Sequence, residues 1–266
     1  MRILVTFAVD AEFAPWRKRH RFEERELRIQ GFRKHEQNAY SSRIGNSLVD
    51  VFLTGIGWDH YGNNAARHGI RALLHDHPNF CISSGLAGGL KRDYQVGDIV
   101  VAENVSSYKR GLKIRGHERL FTIAEDCGAK PAEQLVSWNH IVAESKAKRA
   151  LGVFADIVDM ESFFVMTAVS GSKVPSVAVR AISDSWEEDL PIDFSRVLDR
   201  KGNLKRQRLL VELSRHPERI PAIIGFGKRS RRATESLANF LDTFVPAIEE
   251  QFEQSQLQAH REAAAR

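Results

Sequence analysis

This chain lacks long hydrophobic runs. None of its 266 residues lies in an apolar stretch approaching ~18 residues, so no segment reads as a membrane-spanning helix. Cysteine is nearly absent as well. Cys81 and Cys127 follow no metal or redox spacing, which fits a reduced, cytosolic setting and implies no metal site. Cys81 lies inside an apolar run and reads as a core residue. The opening MRILVTFAVDAE is apolar only from Ile3 to Val9 and has no small-residue cleavage site. It reads as a first core strand and not as a signal peptide. Gly55-Ile56-Gly57 lacks the third glycine of a dinucleotide fingerprint and the Lys-Ser/Thr of a P-loop, so no cofactor is expected. The basic run from Lys228 to Arg232 has no aromatics interleaved for stacking, which argues against a nucleic-acid partner. No internal repeat and no low-complexity linker interrupts the chain.

What is present suits one large α/β domain. Hydrophobic residues make up 42% of the chain, ample for a core. The net charge of +5 is mild but uneven, with much of the excess between Arg17 and Arg33 and between Arg196 and Arg232. The stretch that organises the rest runs from Ile157 to Asp184. Ile157-Val158 is a short apolar run ending at an acidic residue. Phe164, Val165 and Ala168 follow Glu161 at helical spacing, and Gly171, Ser172 and Pro175 stop that helix. Ser176 to Ile182 is a Val- and Ala-rich run, as expected of a strand buried on both faces, and it delivers Ser183 and Asp184 at its carboxyl end. Ligands of open α/β sheets sit at such ends. Glu161 and Asp184 are thereby expected in one crevice, where two carboxylates suit acid–base chemistry.

The remaining elements follow in order. Ile3 to Ala8 reads as strand, and Asp10 as the cap of a helix holding Glu12, Phe13 and Trp16. Glu12 is equally well a first-turn carboxylate favoured by the helix dipole or a functional group. Ser47 to Thr54 and Phe80 to Ser83 read as strands, with a helix from Asn63 to Leu74 between them. The histidines at 60, 68, 75 and 77 read as surface residues rather than ligands. Gly85-Leu86-Ala87-Gly88-Gly89 is a glycine-rich loop whose backbone can approach a ligand closely. Val96 to Ala102 reads as strand, and Ser106 to Gly128 as a polar flap or surface excursion. Trp138 reads as core in preference to pocket wall, and Ala143 to Leu151 as helix. Residues 185–232 read as a basic helical insertion, with a short helix from Leu204 to Leu213. This pair of basic amphipathic segments suits a solvated face or, through residues 204–232, an anionic lipid surface. A last helix carries the stripe Ala233, Leu237, Phe240, Leu241, Phe244, Ile248 and Phe252, and residues 257–266 read as a fraying tail.

Four pieces together resemble the nucleoside phosphorylase and nucleosidase superfamily. They are Gly55-Ile56-Gly57; Gly85 to Leu90 with Gly97-Asp98-Ile99-Val100-Val101; Val158-Asp159-Met160-Glu161-Ser162; and Val179-Arg180-Ala181-Ile182-Ser183-Asp184. Within that family the chain looks most like the methylthioadenosine/S-adenosylhomocysteine nucleosidases and their hopanoid-associated relatives, which cleave adenine from adenosylhopane. The resemblance implies a three-layer α/β/α domain over residues 1–256 with a central mixed sheet, in a homo-oligomer. It implies hydrolysis of the N-glycosidic bond of an adenine nucleoside in the cytoplasm or peripherally at the inner membrane surface. A phosphate-dependent phosphorylase and a non-catalytic nucleoside-binding scaffold are the alternatives. Glu12 would activate water, and Asp184, kept protonated by desolvation, would protonate the base at N7. Glu161, ionised, would hold the ribose hydroxyls with Met160 packed on the sugar. Ser183, Gly85, Leu86, Ala87, Ile141 and Val142 would complete the substrate site. Leu86 stands where many relatives carry a hydroxyl residue, which weakens phosphorolysis more than hydrolysis.

Overall fold

The computed structural model describes residues 1–27, 39–57, 64–109, 111–192, 194, 199, 205 and 216–264. Among them the strands are β1 (Arg2–Phe7), β2 (Glu23–Arg25), β3 (Ala39–Ile44), β4 (Ser47–Leu53), β5 (Phe80–Ser83), β6 (Leu86–Gly89), β7 (Ile99–Ser107), β8 (Lys113–Arg115), β9 (Lys130–Ser137), β10 (Ile157–Asp159) and β11 (Ser176–Asp184). The helices are α1 (Asp10–Arg19), α2 (Asn64–Leu74), α3 (Glu118–Asp126), α4 (Ser145–Leu151), α5 (Ser162–Ser170) and α6 (Ile220–Ala264). The expected short helix at 204–213, Lys205 apart, and His60 lie outside the described residues.

All eleven strands join one mixed sheet in the order β2-β3-β4-β1-β5-β11-β6-β10-β9-β7-β8. Alternation along β1 shows how it is covered. Ile3, Val5 and Phe7 pack with Trp16, Leu120, Leu237 and Phe244 of α1, α3 and α6. Leu4 faces the other way, with Ile70, Leu73, Val165 and Val169 of α2 and α5. The period of two sorts one strand between two helical layers. Cys81 is in the second layer, and its burial pushes the thiol up to about 12.

The sheet also closes on itself. β7 pairs antiparallel with β11, so β11, β6, β10, β9 and β7 form a ring. This revises the simple strand–helix–strand picture of residues 157–184. β10 runs antiparallel to β6, and β6 runs parallel to β11, so β10 and β11 point in opposite directions. Glu161 follows β10 at the turn that caps α5, and it reaches the end of β11 across the ring rather than from a parallel neighbour.

Several elements differ from their expected form. Asp10 does not cap α1; Val9 stands at the cap, and Asp10 pairs with Arg17 at 2.8 Å. The glycine-rich loop contributes β6, because Leu86–Gly89 hydrogen-bonds between β10 and β11. Residues 106–128 are not only a surface excursion: α3 buries Leu120, Ile123 and Ala124 in the core. Residues 220–232 are the first turns of α6, which spans 45 residues and continues to Ala264 beyond the expected start of the tail. The predicted apolar stripe of α6 is buried from Ala233 to Ile248. α6 also fixes α1. Trp16 donates its indole N–H to Asp242 at 2.8 Å, and Arg19 bridges Asp242 and Glu235, each at 2.9 Å.

Candidate active site

The ends of β1, β10 and β11 and the start of β6 surround a cavity of about 230 Å³. Glu12, Glu161 and Asp184 all line it, although they are far apart in the chain. Met160, Ser183, Leu86, Ala87, Ile141 and Val142 line it too. Gly85 is set behind the wall. Its φ of +142° suits glycine, and a Cβ there would stand 3.1 Å from both Glu12 oxygens. Trp138 takes no part in the wall and packs beside the cluster of Leu90, Val136, Val142 and Leu151.

Each carboxylate is held differently. Glu12 is in the first turn of α1, where the rigid start of the helix aims it inward. Its Oε2 accepts from the Ala8 N–H at 2.9 Å and the Val9 N–H at 3.4 Å, and its Oε1 accepts from the Leu86 N–H at 3.0 Å. The dipole position and a placement in the site are therefore both true of Glu12. Burial pushes its carboxyl up, and the Leu86 N–H, Arg180 and the other two N–H groups offset part of that rise. A carboxylate made more basic is better suited to take a proton from water near neutral pH.

Glu161 sits at the turn after β10, and its Oε1 accepts from the Gly57 N–H at 3.0 Å. The Gly55-Ile56-Gly57 turn thus acts through a backbone donor. Burial and, next, the nearby Asp159 carboxylate push Glu161 up to about 8. Against the expectation of an ionised Glu161, the Asp159 and Glu12 carboxylates add repulsion to desolvation and favour the protonated form. Behind it is a buried ion pair. Arg180 is 2% exposed and places Nη2 2.8 Å and Nε 2.9 Å from Asp159 Oδ2. Its guanidinium also donates to the Ser83 carbonyl at 2.6 Å and to the Ser162 hydroxyl at 2.6 Å. Asp159 accepts from the Ser162 N–H and the Ser137 hydroxyl. This network fixes the turn on which Met160 and Glu161 ride.

Asp184 is buried, as expected, but a cation is buried with it. The Lys148 ammonium, 0% exposed, lies 2.5 Å from its Oδ2, and Ser183 donates its hydroxyl to Oδ1 at 2.6 Å. Neither the spacing of residues 143–151 nor their polar character marked Lys148, since a lysine on a seven-residue helix normally faces water. Phe194 and Phe226, which also line the cavity, were invisible for a related reason: they lie in the stretch read as an insertion over the domain.

The family model described as Phosphorylase superfamily matches residues 2–140. The 5′-methylthioadenosine/S-adenosylhomocysteine nucleosidase of Haemophilus ducreyi is 30% identical over 187 residues, spanning 58% of this chain and 78% of that protein. Among solved structures, a futalosine hydrolase mutant of Helicobacter pylori superposes with a TM-score of 0.67 at 17% identity, covering 92% of this chain and 99% of that one. The 5′-methylthioadenosine/S-adenosylhomocysteine nucleosidase of Neisseria meningitidis, in complex with methylthio-immucillin-A, superposes with a TM-score of 0.65 at 19% identity, covering 92% and 98%. At these identities the structures speak for a shared fold.

Proposed function

The chain belongs to the phosphorylase superfamily, and from that premise we propose that it is an enzyme hydrolysing the N-glycosidic bond of an adenine nucleoside, with release of adenine. The observation that carries this reading is the meeting of Glu12, Glu161 and Asp184 on one cavity. In the reaction the C1′–N9 bond breaks with its electron pair passing to the base. A water oxygen bonds to C1′, and its proton goes to Glu12. The base takes a proton at N7 from the Asp184 side of the cavity. Glu161 hydrogen-bonds the ribose hydroxyls. Met160 and Leu86 offer apolar surface to the sugar, and Ile141 and Val142 offer it to the base.

Hydrolysis is favoured over phosphorolysis by charge. Among the described residues that line the cavity there is no lysine or arginine, while four carboxyl groups, those of Glu12, Asp159, Glu161 and Asp184, are present. A phosphate would find no cation on the wall to pair with and would meet the Glu12 carboxylate, whereas a neutral water would not be repelled. The Haemophilus relative is named for the hydrolytic reaction as well.

The 5′ substituent belongs to the same proposal. A second cavity of about 570 Å³ shares Val9, Glu12, Ile56, Leu86, Phe194, Phe226 and Ser230 with the first, and Ile192 and Ile223 extend its apolar wall. This space supports a methylthio- or homocysteinyl-like group, and equally a bulkier apolar one such as the hopane of adenosylhopane. The first turns of α6 that line it carry Ile220 and Ile224, 40% and 54% exposed, and then Lys228, Arg229, Arg231 and Arg232. Apolar and basic groups on one helix end support peripheral contact with an anionic membrane from the cytoplasmic side. No helix among the described residues is long and apolar enough to cross a membrane. We place the enzyme in a homo-oligomer, with Val153 (84% exposed) and Phe154 (56% exposed) as apolar surface available for it.

The test is base release from adenosine, methylthioadenosine, S-adenosylhomocysteine, inosine and an adenosylated lipid, with and without phosphate. Adenine release in phosphate-free buffer is the expected result. Strict phosphate dependence points to the phosphorylase, and tight binding without turnover to the scaffold. Faster release from inosine than from adenosine overturns the assignment of Asp184. Liposome flotation and sedimentation check the membrane and oligomer parts.

A further inference from the structure

Lys148 presents an unusual hydrogen-bonding problem. Its Nζ is enclosed, and an ammonium has three N–H donors to place. Two go to main-chain carbonyls, Ser185 at 2.9 Å and Glu188 at 2.8 Å. The third goes to Asp184 Oδ2 at 2.5 Å. Removing one proton leaves an amine with two N–H groups and a lone pair. Those two N–H groups still satisfy both carbonyls, and the lone pair can accept from a protonated Oδ2. The site is therefore hydrogen-bonded in both states, ammonium with carboxylate and amine with carboxylic acid, and moving a proton between them requires no rearrangement of the surrounding chain.

The surroundings hold that geometry. Ser145 at the start of α4 donates its N–H to Asp189 at 2.6 Å, and the Leu190 N–H bonds the Ala143 carbonyl at 2.8 Å. The helix that carries Lys148 and the loop that supplies its two carbonyls are thereby clipped together. On the cavity side Gly88 borders Asp184 Oδ2 closely enough that a Cβ there would lie 3.1 Å away. Asp184 and Gly88 both line the cavity, so the carboxylate stands at its wall beside a residue with no side chain.

We infer that Lys148 is a positioning residue that supplies, through Asp184, the proton taken up by the departing base. The inference rests on the nucleosidase reading. At rest Lys148 is an ammonium and Asp184 a carboxylate. As the C1′–N9 electron pair moves onto adenine, one Nζ proton passes to Oδ2 and from there, by rotation of the acid O–H, to N7. Adenine leaves neutral, Lys148 is left as an amine, Asp184 is again a carboxylate, and Glu12 holds the proton lost by water. Exchange with solvent as the products leave returns that proton to Lys148.

The test compares Lys148→Met, Lys148→Arg, Asp184→Asn and the Lys148→Met/Asp184→Asn double variant in adenine release from methylthioadenosine, or from whichever adenine nucleoside the wild-type protein turns over. Wild-type turnover decides the nucleosidase reading first and separately. Lys148→Met is expected to lower kcat by at least ~100-fold with KM little changed, the scale of a lost proton donor. The double variant is expected to be no slower than Asp184→Asn alone. Lys148→Arg keeps the charge but cannot give up a proton, so it should lose kcat as well while melting near the wild type. Full activity of Lys148→Arg, or a further large loss in the double variant, overturns the inference. Should Lys148→Met fail to fold, the arginine variant decides. Should neither fold, nitrogen-15 NMR of the lysine side chains in wild-type protein decides: a buried, slowly exchanging ammonium is expected at rest, and a neutral amine overturns it.

Discussion

Changing Glu161 to glutamine in ligand-free protein removes a charge that the cavity disfavours. Burial and the Asp159 carboxylate raise the Glu161 carboxyl from 4.5 to about 8. A carboxyl raised on folding holds its proton more tightly in the native state. Its contribution to stability is fully present below ~4.5 and is lost as pH rises toward about 8. Each pH unit in that window is worth at most about 1.4 kcal/mol. From pH 5.5 to 8 the ceiling is about 3 kcal/mol, and because Glu161 is partly exposed we take a fraction of it, on the order of 2 kcal/mol. In a domain of this size ~1 kcal/mol corresponds to roughly 2–4 °C in Tm. Between pH 5.5 and 8 the wild type should therefore lose about 4–8 °C more than Glu161→Gln. Thermal melts of both proteins at the two pH values measure this, and the difference between proteins cancels the other titrating groups, the 10 histidines included. Profiles that stay parallel within ~1 °C would refute the electrostatic account of the cavity.

Other changes probe the supports of the site. Glu12→Gln places an amide against backbone donors on both sides, since both oxygens accept N–H groups. It should lower kcat by ~10²–10⁴-fold in steady-state assays. In the wild type the acid limb of kcat/KM should fall at a pH above 4.5, because burial raises Glu12 and the base works only when ionised. Gly85→Ala puts a methyl 3.1 Å from the Glu12 oxygens at a φ of +142°, so kcat should drop at least ~10-fold with about 1–3 kcal/mol lost in denaturant melts. Arg180→Met strands the Asp159 carboxylate in the interior and should cost about 3–5 kcal/mol by the same measurement, with part recovered on adding Asp159→Asn.

How much was legible in the sequence follows from the range of the forces involved. The apolar run of β1, the wholly buried run of β11 and the α6 stripe are written in the local pattern; β1 and β11 appeared within a residue or two of the expected limits, whereas α6 begins at Ile220 and runs on to Ala264. Residues 106–128 were harder, because α3 carries only three buried side chains and reads as polar without the core it covers. Glu12, Glu161 and Asp184 stood out because each follows or ends a strand. Their roles remain the proposal made above.

By itself the sequence determined an α/β chain with acidic residues at element ends, because propensity, periodicity and turn chemistry act over a few residues. Tertiary structure alone decided which groups face one another. The sheet curls until β7 meets β11, and so Glu161 and Asp184 share a cavity although their strands point oppositely. Lys148 loses all its water because a carboxylate and two carbonyls from a distant loop replace it. Such pairings depend on distances between segments that no local pattern encodes, and charge and hydrogen bonding there act through space rather than along the chain.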